Sequence, residues 1–277
     1  IPSLEDEDLE EDSAPTHDHY QDPLLTRLYD LQNPWGPDCD FYLALCQDAE
    51  KALKVLDIGC GTGSTYRTLA DRLSPAAAWT LFDYDARLLA EAKRRHPDAG
   101  IAFLQGDLND IASLPLEGTA IVTASALFDL CSPAFIDRFV GRIREQNVGL
   151  YAALNYDGEM RWSVVHPLDE AVTEVFNDHQ RTDKGFGTSA GPEAWQVLAE
   201  RLEAEGFAVS TATSPWIMGA EDADLQRMFL SGVAQAVREA ARLSEDALTD
   251  WCEFRVASIE ATYSSCRVGH QDVLALP

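Results

Sequence analysis

The sequence predicts an α/β domain with a doubly wound, mostly parallel sheet. Short apolar runs that suit buried strands alternate with helical runs from residue 53 to about residue 154. The first apolar run, Lys54-Val55-Leu56-Asp57-Ile58, opens directly into Gly59-Cys60-Gly61-Thr62-Gly63 and then into a helix from about Ser64. The next two strands each close on an acid, Asp83 and Asp107. Open α/β sheets bind ligands beyond the carboxyl ends of their strands, so a site is expected along this edge.

The elements follow in order. Strand one is 53–58, with a helix over about 64–73. Strand two is Trp79-Thr80-Leu81-Phe82, closing on Asp83, and the helix after it runs from about Ala86 to Arg95 with Asp85 as N-cap. Strand three is Ile101-Ala102-Phe103-Leu104, and strand four is 120–124. A helix follows Pro133, and strand five is 148–154. A helix over about 192–205 leads into strand six at 207–210. Two long helices are expected at about 221–242 and 245–263, with apolar stripes through Leu225, Met228, Phe229 and Val233, then Leu248, Trp251, Phe254 and Ile259. The last apolar run, 267–276, reads as a final strand, since a chain segment as apolar as Val273-Leu274-Ala275-Leu276 should be buried. The competing choice for that strand is 215–218.

The glycine spacing narrows the ligand. Bare backbone at Gly59, Gly61 and Gly63 lets a ligand approach N–H groups that a Cβ would shield. A dinucleotide fold wants G-x-G-x-x-G, yet position 64 is Ser. An acid at the strand end, Asp57, suits a positive group better than a pyrophosphate.

Asp57-x-Gly59-x-Gly61-x-Gly63 resembles the first motif of class I S-adenosylmethionine (SAM)-dependent methyltransferases, and Asp83 and Asp107 stand in the matching order. The resemblance covers residues 53–155 by motif and 191–277 by topology. It implies a Rossmann-like seven-stranded sheet whose seventh strand runs antiparallel between strands five and six, which makes the two long helices an insertion. It also implies SAM as the methyl donor and S-adenosylhomocysteine (SAH) as its product. The loop would cradle the amino-acid end of SAM, Asp83 the ribose hydroxyls, Asp107 the adenine amino group with Leu108 beside the ring, and Ser125 and Ala126 the methionine part. Such enzymes carry an N-terminal helical segment over the pocket. Tyr29-Asp30 and Phe41-Tyr42 match it loosely, so 20–52 is read as a helical cap with Tyr42 toward SAM.

Composition excludes other classes. Net charge is −26, from 21 basic and 47 acidic residues. A binder of polyanionic nucleic acid needs basic surface to displace counterions, so nucleic acid is not expected as a partner. No apolar run approaches the roughly 20 residues needed to span a bilayer, and no secretory leader is visible. Six cysteines lack C-x-x-C spacing and read as reduced thiols in the cytoplasm. No metal site is expected. The acidic stretch 1–19 reads as a disordered tail.

The acceptor side is expected beyond strands four and five. The Asn/Asp-Pro-Pro-aromatic run of nucleic-acid and protein amide methyltransferases is absent, and Phe128-Asp129-Leu130 stands there instead. Asp129 is either an acceptor-orienting acid or the cap of the next helix. Segment 156–190 is polar and aromatic, longer than an ordinary connector, and reads as a substrate lid. Asn155, Tyr156, Asn177 and Gln180 are its candidate substrate contacts, and His179, then His166, its candidate bases. The expected function is methyl transfer to O, N or C of a small metabolite. The alternatives are a non-catalytic SAM-binding protein, or an aminopropyl transferase on the same fold. A homodimer through the C-terminal helices is a further expectation.

Overall fold

The computed structural model describes residues 53–70, 77–97, 100–261 and 263–277. The segments read as a tail and a helical cap, and Tyr42 with them, lie outside the described residues. Five strands come first: β1 Lys54–Ile58, β2 Ala78–Asp83, β3 Ala102–Gln105, β4 Ile121–Ser125 and β5 Gly149–Trp162. Helices α1 Ser64–Leu69, α2 Ala86–Arg95 and α3 Pro133–Glu145 follow β1, β2 and β4. Then come α4 Asp169–Gln180, α5 Ala194–Ala204, β6 Ala208–Thr213 and the short β7 Trp216–Met218. Helices α6 Ala223–Ala240 and α7 Glu245–Ile259 precede β8 Cys266–Leu276.

The sheet order is β3-β2-β1-β4-β5-β8-β6. Strands β1 to β5 are mutually parallel, and β8 runs antiparallel between β5 and β6. The strand expected at 267–276 is therefore β8, and α6 and α7 form an insertion before it. The rival segment forms a strand of its own. Residues 271–276 of β8 pair with β6, which leaves residues 266–268 free to take β7 on that side, and the sheet gains an eighth strand.

Helix starts follow local chemistry. The Asp85 carboxylate accepts the Arg87 amide at 2.7 Å and opens α2. Ser132 opens α3 by accepting the Phe135 amide at 3.1 Å, with Pro133 in the first turn. The cap role weighed for Asp129 thus belongs to Ser132.

One expectation is corrected. Strand five does not stop at residue 154; it runs to Trp162 and pairs with β8 along the way. Two register shifts, between Ala152 and Asn155 and between Tyr156 and Met160, interrupt the ladder. They break the apolar alternation, so the sequence reads as a loop where the chain is still a strand. Segment 156–190 is therefore part strand, part helix α4, and only then a loop.

The extended ends of β5 and β8, with β7, carry a second layer of structure. Helices α4, α6 and α7 pack there around a separate apolar core that includes Met160, Val172, Val233, Val237 and Trp251. This cap stands apart from the two cores on the faces of the main sheet, one under α3 and α5 and one under α1 and α2. The apolar stripes of α6 and α7 are spent inside the cap core, so they do not of themselves call for a second copy of the chain. At its centre the buried Arg255 pairs with Asp169, donates to the Val164 carbonyl at 2.6 Å and lies 4.5 Å over the Trp162 ring. Trp251, fully buried, donates its indole N–H to Asp169 at 2.8 Å.

Trp251→Ala should cost about 3–5 kcal/mol from the cavity it leaves. Urea denaturation measures that loss. Hydrogen exchange should show it concentrated at 156–180 and 216–268. Equal loss of protection in β1 and β4 would show that the cap is not a separate unit.

Candidate active site

The loop after β1 is built on left-handed backbone. Gly59, Gly61 and Gly63 have φ of 60°, 53° and 83°, conformations that side chains disfavour. Among the described residues, a Cβ on Gly61 would meet nothing within 4 Å, so they leave the loop open on that side. The loop is tied back to β2: the Gly61 amide donates to Asp83 Oδ2 at 2.8 Å, and Asp83 Oδ1 accepts the Asp85 amide at 2.9 Å. Asp83, expected at the ribose, thus also fixes the shape of the loop. Burial raises its pKa, against the pull of the backbone amides at Asp85 and Gly61.

Asp57 lies beneath this loop with 0 % exposure. Its Oδ1 accepts the Thr123 hydroxyl at 2.7 Å, and its Oδ2 has no hydrogen-bond partner among the described residues. Burial pushes its pKa up to about 7, with the Asp83 charge adding and the Thr123 and Thr65 hydroxyls opposing. A buried, unsatisfied carboxylate beside an open glycine loop is a site for a cationic group. That fits the α-ammonium group of SAM.

The other expected donor-side residues lie along the same edge. Asp107 is exposed after β3 and accepts the Asn109 amide at 2.8 Å, while Leu108 beside it is buried. Gly106 before them fits only as glycine, since a Cβ there would lie 2.5 Å from the Phe82 ring. Ser125 ends β4, opposite Ala153 of β5.

Strain collects just past β4 and at the first bulge of β5. Ala126 and Leu154 hold φ of 51° and 54° without being glycine. The Ala126 amide donates to the Ala153 carbonyl at 3.0 Å. Leu154 is held by a residue the sequence reading missed, Asp272 of β8. Its buried carboxylate accepts the Leu154 amide at 2.8 Å, the Tyr151 hydroxyl at 2.9 Å and the Ser214 hydroxyl. The clue was an acid inside an otherwise apolar strand.

The acceptor-side candidates are divided by the fold. Asn155 is fully buried; its amide nitrogen donates to the Ala152 and Gln271 carbonyls at 3.1 and 2.9 Å, and its Oδ1 is unpartnered among the described residues. Tyr156 donates its hydroxyl to Asn177 Oδ1 at 2.8 Å, and Asn177 donates to the Gly158 carbonyl at 3.0 Å. These two expected contacts are brought together. Asp129 is 8 % exposed in the turn Phe128–Leu130, and its Oδ1 has no partner among the described residues. Burial pushes its pKa up to about 7.

The histidines lie elsewhere. His179 sits 3.0 Å from Glu239 on α6 and 3.3 Å from the Lys184 ammonium. His166 accepts the Leu168 amide at 3.2 Å and packs on Phe254. Both rings are engaged within the cap. Gln180 is half-buried on the last turn of α4. Among the described residues, no group of three or more His, Cys, Asp or Glu is arranged to hold a metal ion. None of their helices is long and apolar enough to cross a membrane.

The loop after α4 closes the arrangement. Asp183 accepts the Gly185 and Gly187 amides at 2.8 and 3.1 Å, and Asn109 donates to the Gly185 carbonyl at 3.1 Å. Phe186 packs edge-on against Phe135, and Ser189 donates to the Leu130 carbonyl at 2.8 Å. The loop therefore links the residues after β3 with the turn that carries Asp129.

The chain is similar to known proteins in sequence and in fold. Residues 55–146 match the family described as a methyltransferase domain. The chain is 24% identical over 212 residues to trans-aconitate 2-methyltransferase of Mycolicibacterium gilvum (strain PYR-GCK), covering 76% of this chain and 78% of that protein. It is 30% identical over 133 residues to demethylmenaquinone methyltransferase of Chlamydia felis (strain Fe/C-56), covering 47% of this chain and 52% of that protein. In fold it resembles a cyclopropane-fatty-acyl-phospholipid synthase-like protein from Lactobacillus casei ATCC 334, with TM-score 0.50 at 14% identity, over 91% of this chain and 98% of that one.

Asp57 gives a pH test that needs no ligand. Its folded pKa lies above its unfolded value, so its contribution to stability is fully present below about pH 4 and is lost as pH rises through about 7. Asp57→Asn cannot ionise. Relative to wild type, the variant should therefore gain stability between pH 5 and pH 8, as read by urea denaturation. A constant difference across that range would refute the buried, ligand-free carboxylate.

Proposed function

We propose that this chain, a class I SAM-dependent methyltransferase, methylates a small-molecule acceptor bound between the carboxyl end of β4, the first bulge of β5 and the helical cap. The carrying observation is Asp57: a buried carboxylate oxygen without a partner, under a glycine loop open to a ligand.

When bound, SAM supplies an electrophilic methyl group on a sulfonium. Asp57 and the loop Gly59, Gly61 and Gly63 would hold its amino-acid end, Asp57 facing the α-ammonium, with Ser125 opposite. Asp83 would accept from the ribose hydroxyls with the lone pairs that the Gly61 and Asp85 amides leave free. Asp107 and Leu108 would hold the adenine. What remains for the protein is to align the acceptor and keep water out, which suits a covered edge. Asn155, Tyr156, Asn177 and Gln180 are the proposed acceptor contacts.

A small acceptor is supported by the net charge of −26, which opposes any polyanion. The relatives above are named for trans-aconitate and demethylmenaquinone, both small molecules. The free thiols Cys60, Cys131, Cys252 and Cys266 suit a reducing compartment, and we place the protein in the cytoplasm.

Calorimetric titration should show binding of both SAM and SAH. Gly61→Arg, which fills the open side of the loop, and Asp83→Ala, which releases it, should each weaken binding at least ~10-fold with the fold retained. A cationic ligand favours ionised Asp57, so SAM affinity should rise about 10-fold from pH 6 to pH 8 in wild type and not in Asp57→Asn. Unchanged affinity in the Gly61 and Asp83 variants would refute the site.

A further inference from the structure

We propose that Asp129 is the proton acceptor of the methyl-accepting half of the site, and that the acceptor is a primary or secondary amine that arrives as its ammonium. This rests on the methyltransferase reading above and adds to it the chemistry of the second substrate.

The turn Phe128–Leu130 follows directly on β4, so Asp129 lies on the same edge of the sheet as Ser125 and the glycine loop. Ser132 caps α3, and Asp129 Oδ1 accepts no hydrogen bond among the described residues. An unpaired acid 8 % exposed is costly to keep, and a ligand that pairs with it offsets the cost.

Among the described residues no cation pairs with Asp129. Burial pushes up the Tyr156 phenol and the Cys131 thiol, and the Asp129 charge adds to both. The Tyr156 hydroxyl is committed to Asn177. Arg181, the guanidinium on the Tyr156 side, is committed to Glu193 and Asp178. At the first bulge of β5, Asn155 holds a second buried acceptor oxygen with no partner among the described residues. Two unsatisfied acceptors, one just past β4 and one at the β5 bulge, favour a ligand rich in donors. An ammonium carries several N–H donors and the opposite charge, while a carboxylate ligand offers no donor and would meet Asp129 with like charge.

The step balances. One N–H proton passes from the ammonium to the Asp129 carboxylate, which frees the nitrogen lone pair. That pair forms the N–C bond as the C–S bond breaks with its electrons left on sulfur. The product is the methylated ammonium with SAH, and Asp129 returns its proton to water.

The test uses the full chain saturated with SAH and titrated in a calorimeter with methylamine, benzylamine, phenethylamine and benzoate. At least one amine should bind, benzoate should not, and Asp129→Asn should weaken the amine at least 10-fold. SAH affinity of the variant should stay within 2-fold of wild type, which reports an intact fold. With methyl-labelled SAM, the bound amine should be methylated by wild type and at least 100-fold more slowly by Asp129→Asn. Binding of no amine, binding of benzoate, or an Asp129→Asn protein that binds and turns over like wild type would each overturn the assignment. Failure of wild type to bind SAH at all would instead bring down the methyltransferase reading, and this proposal with it.

Discussion

The antiparallel ladder between β5 and β8 supports everything else in the molecule. It runs from Leu150 opposite Ala275 to Trp162 opposite Cys266. Its first half lies inside the main sheet, where β8 fills the place between β5 and β6. Its second half projects past the edge and becomes the floor of the cap. One continuous strand pair thus fixes the cap relative to the site, with no linker to flex between them. The two bulges bend the ladder where it leaves the sheet. Asp272 holds the first bulge by taking donors from Leu154, Tyr151 and Ser214 together. A buried carboxylate is tolerable there because its hydrogen bonds are supplied by the residues it must fix.

The acids at the edge contrast with Asp272. Asp57 and Asp129 are as deeply buried, yet each keeps an oxygen without a donor. Both have pKa values pushed up to about 7 by that burial. Evolved cores satisfy their polar groups, and departures from that rule gather where a ligand completes the set. The same protein therefore uses carboxylates in two ways. A satisfied one stiffens the frame, and unsatisfied ones leave room for positive charge. The left-handed Ala126 and Leu154 add backbone strain at the same place, which a stability-optimised fold would avoid.

Much of this was legible in the sequence, for a physical reason. Parallel strands buried on both faces are short apolar runs, and glycines at 59, 61 and 63 mark a left-handed loop that other residues resist. Asp85 as a cap and 267–276 as a buried strand are readable from local pattern, while the antiparallel place of that strand between β5 and β6 comes from the family resemblance. The extension of β5 was not, because Asp157-Gly158-Glu159 sits between bulges and alternation fails across it. The histidines were chosen for their titration range, yet position in the fold decides what a ring can reach. His179 faces α6, and His166 faces α7. Asp129 is ambiguous in the sequence because a cap and a site acid look alike there, and Ser132, seen in place as the cap, removes the first of those readings.

The position of β8 has a consequence for how the protein is made. Residues 266–276 come after every segment they pair with, yet they lie in the interior of the sheet between β5 and β6. During synthesis β5 and β6 each emerge with a bare edge and must wait for more than fifty residues of α6, α7 and their connections before a partner arrives. Over that interval the nascent chain presents two strand edges and an unfilled slot, the kind of species that chaperones shield and that aggregates when they fail. Any truncation that removes β8 makes that interval permanent, leaving a ribosome-released chain whose glycine loop is complete and whose sheet is split in two.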